Sequence, residues 1–142
     1  MMEMMPFRCP VEVRFQDLDA MGHVNNAVFV TYLEQARVRL WERYLGHPAG
    51  LSEIPFIVAR VVIDYRSPVV LGETVDIGVG VSAIGRTSYT FAYRVEAAGR
   101  LAAEAETVQV LFDYAAQRPV PIDERLRAWL ESVALSRSGE NR

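Results

Sequence analysis

The 142-residue sequence is poor in the features that mark several specialised classes of protein. Cys9 is its only cysteine, which excludes an intrachain disulfide and fits a reducing compartment, so a cytoplasmic location is expected. No window approaches the ~20 apolar residues that a bilayer-spanning helix needs. Residues Met1 to Arg8 lack a basic region followed by an apolar run, so no secretory leader is expected. Positive charge is not in excess. The formal net charge of −3 gives a polyanion no long-range attraction, and a nucleic-acid partner is not expected. Repeats, low-complexity stretches and linkers rich in glycine, serine or proline are missing as well. What remains is 51% hydrophobic and 23% charged, enough to bury a core without disulfides or metals. One domain is expected over residues 1–133, with a mobile polar tail over 134–142.

Periodicity divides this domain. Val11 to Gln16 alternates apolar and polar residues and reads as a half-buried strand. Turn-forming residues follow from Asp17 to Asn26. From Ala27 to Leu45 the period becomes helical: Phe29, Leu33, Ala36, Leu40 and Tyr44 form one stripe, with Val30, Trp41 and Leu45 beside it. Val28 and Tyr32 widen that arc in the first turns. Asn25 or Asn26 suits the N-cap, and Gly46 before His47-Pro48 is a stop signal.

The second half is strand after strand. Phe56 to Tyr65 is nearly continuous apolar, as a strand covered on both faces would be. Val75 to Ser82, Tyr89 to Val95 and Val108 to Phe112 alternate, with turn signals at Ser67-Pro68, Ile84-Gly85-Arg86 and Ala98-Gly99-Arg100. Such short connections favour antiparallel neighbours. A short helix is expected near Asp123–Ser132. The class is therefore α+β. One amphipathic sheet of about five strands and one very apolar helix are best satisfied if the curved sheet wraps the helix.

Chemistry concentrates in Asp17-Leu18-Asp19-Ala20-Met21-Gly22-His23-Val24-Asn25-Asn26, which holds two carboxylates, one of the 2 histidines and two amides. The segment runs into a helix N-terminus, whose first N–H groups lack internal partners and would stabilise an oxyanion. A carboxylate facing them can attack a carbonyl or activate water. Equally, both aspartates can form Asx turns and the asparagines can cap the helix. The spacing fits both readings.

These residues also resemble a known family. Phe7-Arg8-Cys9-Pro10-Val11 and Phe15 to Asn26, with Tyr32-Leu33-Glu34-Gln35-Ala36-Arg37 and Gly85-Arg86-Thr87-Ser88, resemble the hotdog-fold acyl-CoA thioesterases. The likeness is to the 4-hydroxybenzoyl-CoA thioesterase-like branch that includes YbgC and FadM proteins, and it extends to about Leu130. It implies a hotdog fold and a hydrolase that splits an acyl thioester into free acid and thiol. By the same likeness Asp19 is the catalytic carboxylate, as nucleophile or general base, and the Asn26 backbone N–H polarises the carbonyl. Many YbgC-type relatives carry tyrosine at the Asn26 position. Asparagine there agrees instead with a His-Val-Asn-Asn subgroup that includes FadM-like and plant acyl-carrier-protein thioesterases. In the plant enzymes the position matching His23 is implicated in catalysis. Their catalytic asparagine falls at Met21, so that part of their machinery is not carried over. Arg86, Thr87 and Ser88 match a region that approaches coenzyme A, often across a subunit boundary. Arginine suits its phosphates as a planar multi-donor, although a solvated hairpin end is an equal reading. Coenzyme A belongs to the substrate, so no separate cofactor is implied. The expected substrate is an acyl-CoA or acyl-carrier-protein thioester, handled by a homodimer or homotetramer.

Other residues carry plainer expectations. Asp17 is read first as a turn residue. Glu34 is expected to be partly buried, paired with Arg37 three residues on or with another subunit. His23 and His47 fall at opposite ends of the helix, and Cys9 has no metal-binding spacing, so no metal site is expected. Gly78-Val79-Gly80 with Gly85 lies inside an alternating strand and is no dinucleotide loop. Two competing readings are a non-catalytic domain that binds acyl thioesters or another protein, and a hotdog dehydratase. The dehydratase lacks support because Asp19-Ala20-Met21-Gly22-His23 does not match the Asp-x-Asn-Pro-x-His pattern associated with that branch.

Overall fold

The computed structural model of the chain describes residues 2–48 and 55–135. Helix α1 spans Asn26–Leu45, within one residue of the helix that periodicity predicts. Asn25 caps it, its side chain accepting the Ala27 N–H at 2.8 Å. Gly46 ends it in the left-handed region at φ 81°, which costs glycine little and lets its N–H reach the Glu42 carbonyl. Phe29, Tyr32, Leu33, Ala36, Leu40 and Trp41 are all buried, whereas Val30 and Val38 face outward.

The sheet contains β1 (Phe7–Glu12), β2 (Phe56–Tyr65), β3 (Thr74–Ile84), β4 (Ser88–Ala97) and β5 (Arg100–Asp113), in the order β1-β3-β4-β5-β2. Every neighbouring pair is antiparallel. A two-residue strand that periodicity does not reveal, β6 (Arg118–Pro119), adds to the end of β5. Helix α2 (Glu124–Ser132) follows, capped by Asp123. Tyr89, Phe91, Tyr93 and Val95 of β4 point inward, and Trp41 of α1 meets Tyr89 and Phe91 ring to ring. The sheet curls about α1 to form the expected hotdog arrangement, with α2 closing one end through Trp129 against Trp41 and Tyr44.

Three features differ from the sequence expectation. First, β1 runs over Phe7–Glu12, not Val11 to Gln16. The strand stops because the Asp17 carboxylate captures the Arg14 N–H and winds Phe15–Asp17 into a 3₁₀ turn, which leaves Phe15 79% exposed. Second, β2 is not covered on both faces. It is the last strand of the sheet, with Ile57, Val58, Val61 and Tyr65 exposed, and an apolar edge of that kind invites pairing. Third, Glu34 is exposed and makes no ion pair with Arg37, which points inward and is itself buried.

The outer face of β3 is covered by both ends of the described chain. A Cβ added at Gly78 would collide with Met5 and Met2, and one at Gly80 would lie 2.5 Å from Leu135. These glycines therefore serve close packing within a strand. Leu135 also donates its N–H to the Val81 carbonyl at 2.9 Å, so the chain is still attached two residues past the expected domain boundary. The remainder of the expected tail, 136–142, lies outside the described residues.

Candidate active site

The loop between β1 and α1 is organised by its two aspartates in different ways. Asp17 is 1% exposed and accepts from the Arg14 backbone N–H at 2.9 Å, from Arg14 Nε at 3.2 Å and Nη2 at 2.9 Å, and from the Tyr32 hydroxyl at 2.7 Å. Burial alone pushes its carboxyl up, but the Arg14 and Tyr32 hydrogen bonds outweigh burial and hold it below the usual carboxylate range. With every contact directed at its own loop and helix, Asp17 is structural, as its turn context implies.

Asp19 is exposed and only half committed. Its Oδ1 accepts the Met21 N–H at 2.9 Å and the His23 N–H at 3.3 Å, which is the Asx turn that spacing allows. Its backbone N–H donates to the His23 carbonyl at 2.7 Å, and Gly22 takes the left-handed φ of 80° that the turn requires. The Asx turn consumes Oδ1 alone. Oδ2 accepts no hydrogen bond among the described residues. Turn and reactive carboxylate are therefore compatible in one side chain.

The helix start shows the same division. Asn25 Oδ1 takes the Ala27 N–H and the Asn25 carbonyl takes the Val28 N–H. The Asn26 N–H meets no acceptor among the described residues, so the first turn keeps a free donor. Tyr65, at the end of β2, donates its hydroxyl to the Asn26 carbonyl at 2.7 Å and stacks edge-on against Phe29 at 5.2 Å. Sequence reading missed Tyr65, since only the fold carries the end of β2 to this helix. His23 is half-buried, bridges Val70 through its backbone, and its ring has no hydrogen bond among the described residues.

Arg86, Thr87 and Ser88 are not brought to Asp19 within one chain. Their backbone is fixed by pairing with β5 and the segment leading into α2: the Thr87 carbonyl accepts the Leu111 N–H at 2.8 Å and the Arg86 carbonyl accepts the Ile122 N–H at 2.9 Å. Leu111 pairs with Phe56, the first residue of β2, whereas the Asn26 contact is at Tyr65, the last. Ten residues of strand separate those ends, roughly 30 Å at ~3.3 Å per residue. Arg86 is exposed and oriented for solvent contact.

A cavity of about 460 Å³ opens between α1 and the start of β2, lined among others by Glu34, Arg37, Phe56 and Val58. None of its lining residues belongs to the Asp17–Asn26 loop. Among the described residues no group of three histidine, cysteine or acidic side chains is gathered as a metal site. No helix of the described residues is long and apolar enough to cross a membrane.

A curled antiparallel sheet around one long helix, with a carboxylate loop feeding the helix N-terminus, defines a hotdog domain with a thioesterase-like site. Residues 13–130 match the thioesterase-like superfamily, and the chain belongs to it. It is 32% identical over 116 residues to the acyl-CoA thioester hydrolase YbgC of Escherichia coli O6:H1, covering 80% of this chain and 87% of that one. The long-chain acyl-CoA thioesterase FadM of Escherichia coli strain K12 is 28% identical over 129 residues, covering 87% and 96%. Among solved structures, a thioesterase complexed with coenzyme A and zinc from Thermus thermophilus superimposes with a TM-score of 0.84. It is 41% identical, and the match covers 92% of this chain and 96% of that one.

Proposed function

We propose that the chain hydrolyses acyl thioesters of coenzyme A or of an acyl carrier protein, with Asp19 as the reacting carboxylate. One observation carries this reading. Asp19 is pinned through Oδ1 while Oδ2 is left free, seven residues before an Asn26 N–H that also lacks a partner among the described residues. A thioester carbonyl held between them has a nucleophile or base on one side and an oxyanion donor on the other.

Two balanced routes use that geometry. In the first, Oδ2 attacks the carbonyl carbon, the C–S bond breaks and the thiolate leaves. Water then cleaves the resulting mixed anhydride to release the acid and restore Asp19. In the second, Asp19 takes a proton from water as its oxygen adds to the carbonyl, and the departing thiolate receives that proton. Thioesters are activated acyl donors, so neither route needs a serine–histidine pair. His23 follows Asp19 in the same turn, and its ring is available to orient water or the leaving sulfur.

A second copy completes the site. The exposed apolar edge of β2 pairs antiparallel with the β2 of another copy, giving a dimer that can assemble further into a tetramer. Antiparallel pairing sets the Tyr65 end of one strand against the Phe56 end of the other. Arg86, Thr87 and Ser88 of one copy thereby approach the Asp19 loop of the next, where the arginine can hold coenzyme A phosphates.

The test is Asp19→Asn. The asparagine Oδ1 still accepts from Met21 and His23, so folding persists, while thiol release from a panel of short, long and aromatic acyl-CoAs falls about 10²- to 10⁴-fold. Retention of the wild-type rate on every hydrolysed substrate would remove Asp19 from the chemistry. A domain that only binds acyl thioesters is separated by calorimetry with a non-hydrolysable acyl-CoA, which would then bind without any thiol release from the cleavable substrate.

A further inference from the structure

Tyr65, the last residue of β2, is 42% exposed, yet its hydroxyl donates to a main-chain carbonyl, that of Asn26, at 2.7 Å. Asn26 is the first residue of α1, and its own N–H is the donor left open in the first turn. The N–H and the carbonyl of one residue belong to consecutive peptide planes, so holding the second plane limits how the first can turn. That second plane, between Asn26 and Ala27, is held at both ends. The Ala27 N–H donates to Asn25 Oδ1 at 2.8 Å, and the Asn26 carbonyl accepts from Tyr65. The Asn25 N–H in turn donates to the Asp17 carbonyl at 2.9 Å. Helix ends fray where nothing outside the helix ties them. Among the described residues, the Tyr65 bond is the one that ties residues 25–28 to the sheet.

The Tyr65 ring is itself fixed. It meets Phe29, one turn into α1, edge-on with centroids 5.2 Å apart, and Phe29 lies 6.1 Å from the ring of Tyr32. The Tyr32 hydroxyl donates to Asp17 at 2.7 Å. Three rings thus connect the anchor of the carboxylate loop to the tip of the helix. Burial lifts the Tyr65 phenol above its ordinary value, so it keeps the proton it donates through neutral pH.

We propose that Tyr65 is a positioning residue for thioester cleavage: its hydroxyl clamps the Asn26–Ala27 peptide so that the free Asn26 N–H faces the substrate carbonyl oxygen. This rests on the thioester reading above. Tyr65 bonds to the residue that carries the donor and to none of the reacting atoms, so its effect is felt as the oxyanion forms. A group displaced by ~1 Å can lose ~10²-fold in rate, and an oxyanion donor removed outright loses about 10²- to 10³-fold. Loosening falls short of removal, which sets the expected loss at about 10- to 100-fold.

The test is Tyr65→Phe in the full chain, which deletes one oxygen and keeps the ring on Phe29. Thiol release should show kcat about 10- to 100-fold lower, with KM within about threefold of wild type. Replacing Tyr65 by para-aminophenylalanine, which again offers a donor to the carbonyl, should recover most of the loss. Amide hydrogen exchange needs no turnover. In Tyr65→Phe it should quicken at Ala27, Val28 and Val30, in the first turns of α1, and stay unchanged at Leu40. Lower kcat with an even KM, recovery by the amine and faster exchange confined to the helix tip together support the clamp. A KM that rises while kcat holds puts Tyr65 against the substrate and overturns it. A kcat loss accompanied by faster exchange throughout the chain, or by dissociation of the dimer, is a general structural effect and also overturns it. Unchanged kcat leaves the hydrolase standing and overturns the clamp, whereas wild-type protein that cleaves no acyl-CoA overturns the hydrolase itself and the catalytic role of Tyr65 with it.

Discussion

Replacing Asp17 with alanine tests the division of labour between the two loop aspartates, because its cost follows from contacts that differ in accessibility. The Arg14 guanidinium, whose side chain is 52% exposed, returns to water when its partner is lost, so that part of the cost is small. Tyr32 is 1% exposed and its hydroxyl cannot reach water, so losing Asp17 costs about 1–3 kcal/mol there. The Arg14 backbone N–H adds about 1 kcal/mol. The sum of the last two, about 2–4 kcal/mol, is a large share of the ~5–15 kcal/mol that holds a domain together. With a urea slope of about 1–3 kcal/mol per molar, the midpoint of Asp17→Ala should fall by about 2 M. Asp19→Asn should stay within about 0.5 kcal/mol of wild type, as an exposed substitution that preserves its turn. Tyr32→Phe should cost less than Asp17→Ala, and the double variant should be far from additive since both changes remove one bond. An Asp17→Ala midpoint near wild type, or additive losses in the double variant, would refute the assignment of Asp17 as the anchor.

Two further perturbations follow from named contacts. Asn25→Ala removes the side-chain acceptor for the Ala27 N–H and should lower stability by about 1 kcal/mol in the same urea assay; an unchanged midpoint would mean that the cap contributes nothing. Acid should also weaken the fold in a defined window. The Arg100 guanidinium, followed by the Val70 N–H, holds Glu73 down to about 2, and Asp17 is likewise held below its usual range. The unfolded chain therefore takes up these protons first. The stabilisation is complete above the ordinary carboxylate range and drains away as pH falls, for Glu73 down to about 2. Urea midpoints between about pH 5 and pH 2 should decline more steeply for wild type than for Glu73→Gln, and equal slopes would contradict the Arg100 pairing.

The exposed apolar edge and the division of the site share one cause. A sheet that wraps a helix without closing on itself must leave terminal strands, and β2 is one of them. Phe56 and Ile63 pack against the core, but Ile57, Val58 and Val61 are left exposed. Strand β1, at the opposite edge, is short at six residues and alternates buried with exposed, which makes it the less adhesive edge. The carboxylate loop and the Arg86 turn sit at opposite ends of the same half-barrel, which is why the shared site proposed above calls for a second copy.

Local sequence determined the long helix, since its period, the Asn25 cap and the Gly46 stop act within a few residues of one another. It determined the alternating strands β3 to β5 for the same reason, and its short dense motif is what singles out Asp19, His23 and Asn26 as candidates. The separation of Asp17 from Asp19 was only half legible: both fit a turn, and burial against Tyr32, fifteen residues away, made one of them an anchor. Tertiary structure alone decided the rest. Continuous apolar residues look the same in a covered strand and in an edge awaiting a partner, because strand order is a property of the whole sheet. Arg37 could have been noticed at steps of four between Leu33 and Trp41, inside the apolar arc. That its charge meets no carboxylate among the described residues depends on where Glu34 and the strands lie, and no periodicity within the helix encodes that.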